Sequence, residues 1–141
     1  MCGVVGVMAM LDEKAMVAAD TYRGLLALQH RGEESAGISV GFQSMDGGPS
    51  QIQLHKKMGL VQEVFTDYNF PGASNMNSGS VSASVTASAS TPVPNSASAS
   101  PLSALGHVRY STAGGSLLKN AQPLATQTRW GPIALVHNGN L

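Results

Sequence analysis

The sequence predicts a mixed α/β fold of the α+β type, and three stretches of the chain carry this prediction. Residues 3–10 form a short apolar run, partly β-branched, which is typical of a strand buried on both faces. Apolar side chains then recur at helical spacing, which predicts an amphipathic helix from about Glu13 to His30. Residues 36–42 and 51–57 show strand composition and predict a strand pair.

Shorter patterns extend this prediction toward the end of the chain. Turn residues at 46–49 would join the two paired strands, and a short helical piece is predicted around 60–65. Residues 105–110 and 133–136 predict two further strands. The chain ends directly after an Asn-Gly turn, so we expect a chain cut within its domain.

Residues 72–103 differ in composition from the rest of the chain. Ser and Ala dominate this segment, and it contains neither a charged nor an aromatic side chain. Such a segment cannot bury enough apolar surface to offset its ordering entropy. The sequence therefore predicts a disordered surface insertion over 72–103.

Composition restricts the class of protein. The chain has 141 residues, which fits one domain or part of one, and eight basic residues balance eight acidic ones. This balance predicts no nucleic-acid or membrane partner, and leaves a small molecule or another protein. All eight acids lie at or before Asp67, so the second half cannot supply a carboxylate dyad or a carboxylate-ligated metal.

Cysteine content and hydropathy predict a cytoplasmic protein. Cys2 is the single cysteine and cannot form an internal disulfide. No apolar run approaches the roughly 20 residues needed to cross a bilayer, and the N-terminus lacks the features of a signal peptide.

Cys2 is the first candidate catalytic residue. Aminopeptidases that remove the initiator Met favour a small second residue, so Cys2 is expected to become the N-terminal residue. Its free α-amine, with a reference pKa of about 7.7 to 8.0, can then act as the base for its own thiol.

Three further stretches combine Gly, Arg and small polar residues: 29–37, 106–114 and 137–141. Together with residues 1–6 they resemble, in the same order, the glutaminase domain of the class II glutamine amidotransferases. That family is a branch of the N-terminal nucleophile hydrolases. Residues 109–113 and 120–123 are most similar to the branch that opens purine synthesis.

The resemblance implies a fold and a chemistry. The fold would be a four-layer α/β/β/α sandwich, incomplete in this chain, with two stacked antiparallel sheets between helices. Cys2 would attack the side-chain amide of glutamine. The Asn138 side chain and the Gly139 backbone N–H would stabilise the resulting oxyanion.

The resemblance also implies a substrate pocket. Arg109 would hold the glutamine α-carboxylate, because a guanidinium matches a carboxylate bidentately, and Thr112 would donate to the same group. Arg31 and Gly32 would shape the pocket wall. The family's acid for the substrate ammonium lies downstream of its Asn-Gly motif and has no counterpart here, since no acid follows Asp67.

Differences from related families are local. Glucosamine-6-phosphate synthases typically carry Arg-Trp-Ala-Thr-His where this chain has residues 109–113, and asparagine synthetases carry Arg-Gly-Pro-Asp at residues 31–34. The pair Glu33-Glu34 departs from the family's usual Gln-Asp or Gln-Glu. We interpret this pair as a tolerated surface difference.

Several functions are implied only for a longer protein. A second domain would bind phosphoribosyl pyrophosphate, expected with Mg²⁺, and would use the ammonia to give phosphoribosylamine, glutamate and pyrophosphate. Some relatives carry an iron–sulfur cluster, and a homo-oligomer is expected. Two alternatives stay open: another class II amidotransferase, such as the glucosamine-6-phosphate synthase type, and a non-catalytic module that retains the fold.

Individual motifs also have structural interpretations. Arg31, just after a predicted helix, could complement the helix dipole, and Asn138-Gly139 could be an ordinary hairpin turn. The four histidines show no metal-ligand spacing, so no metal site is predicted, and packing or hydrogen-bonding roles are expected for them.

Overall fold

The computed structural model describes residues 1–10, 16–44, 48–72, 89–90, 99–110 and 115–139. In chain order the elements are β1 (Gly3–Met8), α1 (Val17–Ala27), β2 (Ser35–Ser44), β3 (Gln51–Met58), α2 (Val61–Val64), β4 (Ala89–Ser90), β5 (Ala99–Arg109), β6 (Leu124–Thr128) and β7 (Gly131–Leu135). Single 3₁₀ turns occupy Gln29–Arg31 and Leu118–Asn120.

The strands form two antiparallel sheets. The larger sheet has five strands in the order β1-β5-β2-β3-β4, and β6 and β7 form a two-stranded sheet. The helices pack on one face of the larger sheet, and the smaller sheet lies toward its other face, where β7 contacts β3. Three stacked layers therefore lie within the described ranges.

The helix-facing side of the sheet carries the apolar core. Leu25 of α1 is fully buried, and Gly106 of β5 allows the helix to approach, because a Cβ there would lie 2.6 Å from Thr21 Cγ2. The buried core residues are Val17, Ala18, Leu25, Ala36, Ile38, Val40, Phe42, Val61, Val64, Phe65, Ala104 and Val108. None of the helices in the described part of the chain has the length and apolarity to span a membrane.

Aromatic rings extend this core beyond the helices. The ring of His55 lies 4.6 Å from that of Tyr68 and 5.3 Å from that of Phe65, measured between centroids. The His55 Nε2 atom lies 2.8 Å from the Val64 carbonyl oxygen. His55 thus has the packing and hydrogen-bonding role that the sequence predicted.

The predicted elements are confirmed at β2, β3, α2, β5 and β7, and the helix is shorter than predicted. It begins at Val17, and a 3₁₀ turn replaces its last predicted residues. The predicted helix start at Glu13 and residues 46 and 47 of the predicted turn lie outside the described residues. Strands β4 and β6 were not predicted.

The prediction that the first strand is buried on both faces is wrong. Val4 and Met8 point away from the helices and are 41% and 81% exposed. The reason is topological, because β1 is an edge strand whose second face meets no covering segment among the described residues.

The predicted boundary of the 72–103 insertion is also wrong. Residues 99–103 lie in β5 and pair with β2. Residues 89–90 pair with His55 and Lys56 of β3. Main-chain hydrogen bonds hold these small and mostly Ser or Ala residues in the sheet, so their composition did not reveal them. Residues 73–88 and 91–98 lie outside the described residues.

We expect Leu25→Ala to lower the free energy of unfolding by about 2 to 5 kcal/mol, because it leaves a cavity between α1 and β5. Met10→Ala is the control, since Met10 is 82% exposed, and should change stability by less than about 0.5 kcal/mol. Urea denaturation measures both values. Equal losses would show that α1 is not docked on the sheet.

Candidate functional site

The register of three strands brings the first predicted site residues to the end of the sheet where β1 begins and β5 ends. Gly3 of β1 lies opposite Val108 of β5, and Val108 lies opposite Ala36 of β2. Cys2 therefore lies at the start of β1 beside the end of β5. It is half-buried, and its Sγ lies 3.8 Å from the carbonyl oxygen of Tyr110.

Arg31 contacts the residue that carries this thiol. Its Nε donates to the carbonyl oxygen of Cys2 at 3.1 Å, and its Nη2 lies 3.7 Å from the sulfur of Met1. The guanidinium is thus placed at the N-terminal residues. This contact gives Arg31 a position at the site, beyond the helix-dipole role that its sequence position allowed.

Gly32 permits close backbone contact with Arg109. A Cβ at Gly32 would lie 2.6 Å from the Arg109 carbonyl carbon and 2.8 Å from its nitrogen. Gln29 fixes this segment, since its amide nitrogen donates to the Gly32 carbonyl at 2.6 Å and its amide oxygen accepts from the Val61 N–H at 2.7 Å. The tight fit leaves no room for a side chain at position 32.

Arg109 forms a buried ion pair with Glu34. The Arg109 Nη1 donates to Glu34 Oε1 at 2.6 Å, and the two side chains are 10% and 13% exposed. The same nitrogen lies 3.2 Å from the Gly115 carbonyl oxygen. The interpretation of Glu33-Glu34 as a surface difference is therefore wrong for Glu34, although Glu33 is exposed. A buried guanidinium requires a counter-charge, which Glu34 supplies.

The Asn138-Gly139 turn is held through the residue before it. The His137 N–H donates to Gln122 Oε1 at 2.7 Å, and the His137 carbonyl oxygen lies 3.0 Å from His107 Nε2. Asn138 and Gly139 are exposed. Gly139 has φ +153°, a backbone conformation that favours glycine.

The structure thus groups Cys2, Arg31, Gly32 and Arg109. The Asn138-Gly139 turn is tied to His107, which is two residues before Arg109 and therefore on the same face of β5. Thr112 lies outside the described residues.

Sequence reasoning missed the supporting residues Gln29, Glu34, His107 and Gln122. All of them lie within residues 29–37, 106–114 and 120–123, but composition does not show which residues of these motifs face one another. The described residues contain no group of three or more His, Cys, Asp or Glu side chains that could hold a metal ion.

We expect Glu34→Gln to lower the free energy of unfolding by about 3 kcal/mol, because it removes the carboxylate that pairs with the buried Arg109 charge. Glu33→Gln is the matched control and should have an effect below about 0.5 kcal/mol. Urea denaturation near neutral pH measures both. If the two variants are equally stable, the ion pair does not contribute.

Stability should fall as the pH drops below about 6.5. Burial lowers the pKa of His55 and of His107 below the ordinary value of 6.5, and Arg109 and His137 lower that of His107 further. The unfolded chain therefore takes up protons that the fold excludes, at a cost of at most about 1.4 kcal/mol per pH unit for each histidine.

Denaturation curves between pH 5 and 8 test this expectation. His107→Gln should flatten the pH dependence, whereas His30→Gln, at an exposed position, should leave it unchanged. If lowering the pH reduces the free energy of unfolding equally in the wild type and in His107→Gln, His107 does not contribute to the pH dependence of stability.

Comparison with known proteins found similar sequences over essentially the whole chain. The chain is 42% identical to the amidophosphoribosyltransferase of Synechococcus elongatus over 140 residues, which make up 99% of this chain and 21% of that protein. It is 40% identical to the amidophosphoribosyltransferase of Archaeoglobus fulgidus over 141 residues, or 100% of this chain and 23% of that protein.

A solved structure described as the allosteric regulatory enzyme of purine biosynthesis is also similar. It has a TM-score of 0.54 and 29% identity, over 93% of this chain and 21% of that one. No family model matches the chain.

The chain spans about a fifth of the length of the relatives that it matches. The structural match confirms the predicted α+β fold of the N-terminal nucleophile hydrolase type. The sequence matches extend over essentially the whole chain. On this evidence the chain is similar, over essentially its whole length, to the N-terminal part of amidophosphoribosyltransferases.

Proposed function

We propose that this chain carries the glutamine-hydrolysing site of an amidophosphoribosyltransferase, with Cys2 as its nucleophile. The observation that carries the proposal is the placement of Cys2 at the start of β1, where Arg31 binds its carbonyl oxygen and Arg109 ends the neighbouring strand. A thiol at the start of a strand suits attack on a substrate that carries a carboxylate when one guanidinium binds its backbone and a second ends the neighbouring strand.

The proposed reaction begins once Met1 is removed. The α-amine of Cys2 takes the thiol proton as the sulfur bonds to the amide carbon of glutamine. The Asn138 amide and the Gly139 N–H stabilise the negative charge on the former carbonyl oxygen. The α-ammonium then protonates the leaving nitrogen, the C–N bond breaks, and ammonia departs. Water hydrolyses the γ-glutamyl thioester to glutamate and restores the thiol.

Arg109 is the proposed ligand of the glutamine α-carboxylate. Its guanidinium has five N–H donors, and Glu34 holds one edge of it through Nη1. A substrate carboxylate would bind beside Glu34 or displace it. Thr112 is proposed to donate to the same carboxylate, and Gly32 to keep the Arg109 backbone close to the site.

The whole reaction belongs to a longer protein in this proposal. The relatives are about five times the length of this chain, and their name specifies phosphoribosyl transfer. We place phosphoribosyl pyrophosphate binding in a separate domain, which would receive the ammonia and open purine synthesis. Such an enzyme would be cytoplasmic and homo-oligomeric.

In this proposal Mg²⁺ and any iron–sulfur cluster would be held by the longer protein. Cys2 is the single cysteine, whereas iron–sulfur clusters are typically held by four cysteines. The described residues likewise offer no cluster of metal ligands. No step of the proposed hydrolysis uses either group.

In the full-length gene product, we expect Cys2→Ala to reduce glutamine-dependent activity by at least a thousandfold and to leave ammonia-dependent activity within about twofold. Free ammonia bypasses the thioester, so only the first reaction needs the thiol. Cys2→Ser is the matched control for shape and should behave like Cys2→Ala. Intact mass of the active enzyme should show Met1 absent.

Two results would contradict the proposal. One is equal loss of both activities in a folded Cys2→Ala variant. The other is full glutamine-dependent activity in a protein that retains Met1 quantitatively.

A further inference from the structure

Both backbone polar groups of His137 are bound by side chains from other parts of the fold. The His137 N–H donates to Gln122 and the His137 carbonyl accepts from His107, at 2.7 and 3.0 Å. These two groups belong to the peptide units on either side of the His137 Cα atom, so both units are held and the two backbone dihedrals of His137 have little freedom. The next residues, Asn138 and Gly139, therefore leave His137 in a fixed direction.

His107 is built into the sheet. It is fully buried near the C-terminal end of β5 and lies opposite Gly37 of β2. Because a carbonyl oxygen only accepts hydrogen bonds, the His107 ring must carry its proton on Nε2. Its Nδ1 atom has no partner among the described residues, so the contact with His137 is the polar interaction that orients the ring.

Gln122 is equally well anchored. The neighbouring carbonyls of Ala121 and Pro123 accept hydrogen bonds from the buried Lys56 ammonium at 2.5 and 3.3 Å. The Gln122 carbonyl oxygen packs against Gly37, where a Cβ would lie 2.4 Å from it. These contacts fix the Gln122 backbone on the sheet, so its side-chain oxygen reaches His137 from a rigid base.

We propose that His107 and Gln122 are positioning residues that aim the Asn138 and Gly139 donors at the substrate carbonyl by clamping His137 between them. The inference rests on the proposed function, because that function assigns Asn138 and Gly139 to the oxyanion. Neither side chain needs to touch the substrate. Each acts through the backbone of His137.

Gln122 and His107 must supply different hydrogen-bonding groups to His137. Position 122 needs an acceptor at the reach of a Gln side chain, and position 107 needs a donor at Nε2. Gln122→Glu keeps the acceptor, whereas Gln122→Met keeps the length and removes it. His107→Gln keeps an N–H donor at a similar reach, whereas His107→Leu removes it.

The test uses steady-state kinetics of the full-length gene product, with glutamine and with ammonia as nitrogen source. We expect Gln122→Met and His107→Leu to lower kcat with glutamine by about 10- to 100-fold, because misaimed oxyanion donors act on the transition state. KM for glutamine and the ammonia-dependent rate should stay within about twofold. Gln122→Glu and His107→Gln should restore at least a third of the wild-type kcat.

Hydrogen exchange gives a readout that does not depend on activity. The His137 amide should be protected in the wild type and in Gln122→Glu, and should exchange at least tenfold faster in Gln122→Met. If Gln122→Met does not fold, Gln122→Asn withdraws the acceptor by one methylene group and should show the same loss of kcat and of protection.

The outcomes separate this inference from the proposed function. Wild-type kcat in Gln122→Met or in Gln122→Asn, in a protein whose glutamine hydrolysis is abolished by Cys2→Ala, would overturn the clamp and leave the proposed function standing. A rise in KM with unchanged kcat would also overturn it. Absence of Cys2-dependent glutamine hydrolysis in the wild type would overturn both.

Discussion

The candidate site depends on the register in which β5 pairs with β1 on one side and β2 on the other. A shift of one residue would turn His107 and Arg109 toward the helices and expose their neighbours. The helix-facing row of β5 prevents this, because α1 fits only over a residue without a side chain. A Cβ at Gly106 would already lie 2.6 Å from Thr21 Cγ2. The packing of an apolar face thus fixes the position of the polar residues on the opposite face.

The opposite face is held together by hydrogen bonds as well as by apolar contact. Each of its buried basic side chains binds at least one backbone carbonyl of the segment 115–137. The pairs are Arg109 with Gly115, Lys56 with Ala121 and Pro123, and His107 with His137. A buried donor without a partner would cost about 1 to 3 kcal/mol, and more for a charged group. These side chains therefore dictate the path of the segment that leads to the Asn138-Gly139 turn.

The sequence predicted the positions of the helices and strands better than it predicted which segments pair with them or cover them. Periodicity located α1 and the β2–β3 pair, because their apolar residues recur at the spacing of a helix and of a strand, respectively. It missed residues 99–103, where Ser and Ala give no apolar pattern and the strand depends on main-chain pairing with β2. It also placed β1 between two covering layers, because an apolar run does not reveal whether a strand lies at the edge of a sheet.

The sequence identified site residues only where the evidence for them lies in the neighbouring residues of the chain. A position-2 thiol and the Asn-Gly turn are visible in the chain itself. The partnership of Arg109 with Glu34 is not, because the two residues are 75 positions apart and meet only through the β2–β5 pairing. The contact between Gln122 and His137 is also not visible, because it continues the register of the β6–β7 hairpin, and the sequence did not predict β6. Long-range pairing of polar groups has no periodic trace in a sequence.

The Arg109–Glu34 pair has a consequence for the ligand that the proposed site would accept. The pair is nearly neutral as a unit, so it offers little net attraction to a free anion. In the proposed binding mode a substrate α-carboxylate would lie next to the Glu34 carboxylate, whose Oε2 is buried and has no partner among the described residues. Glutamine brings its own α-ammonium with that carboxylate, so the charged end of the substrate is also nearly neutral. A guanidinium that is already paired with a carboxylate would therefore favour an amino acid over a simple carboxylate without an ammonium group.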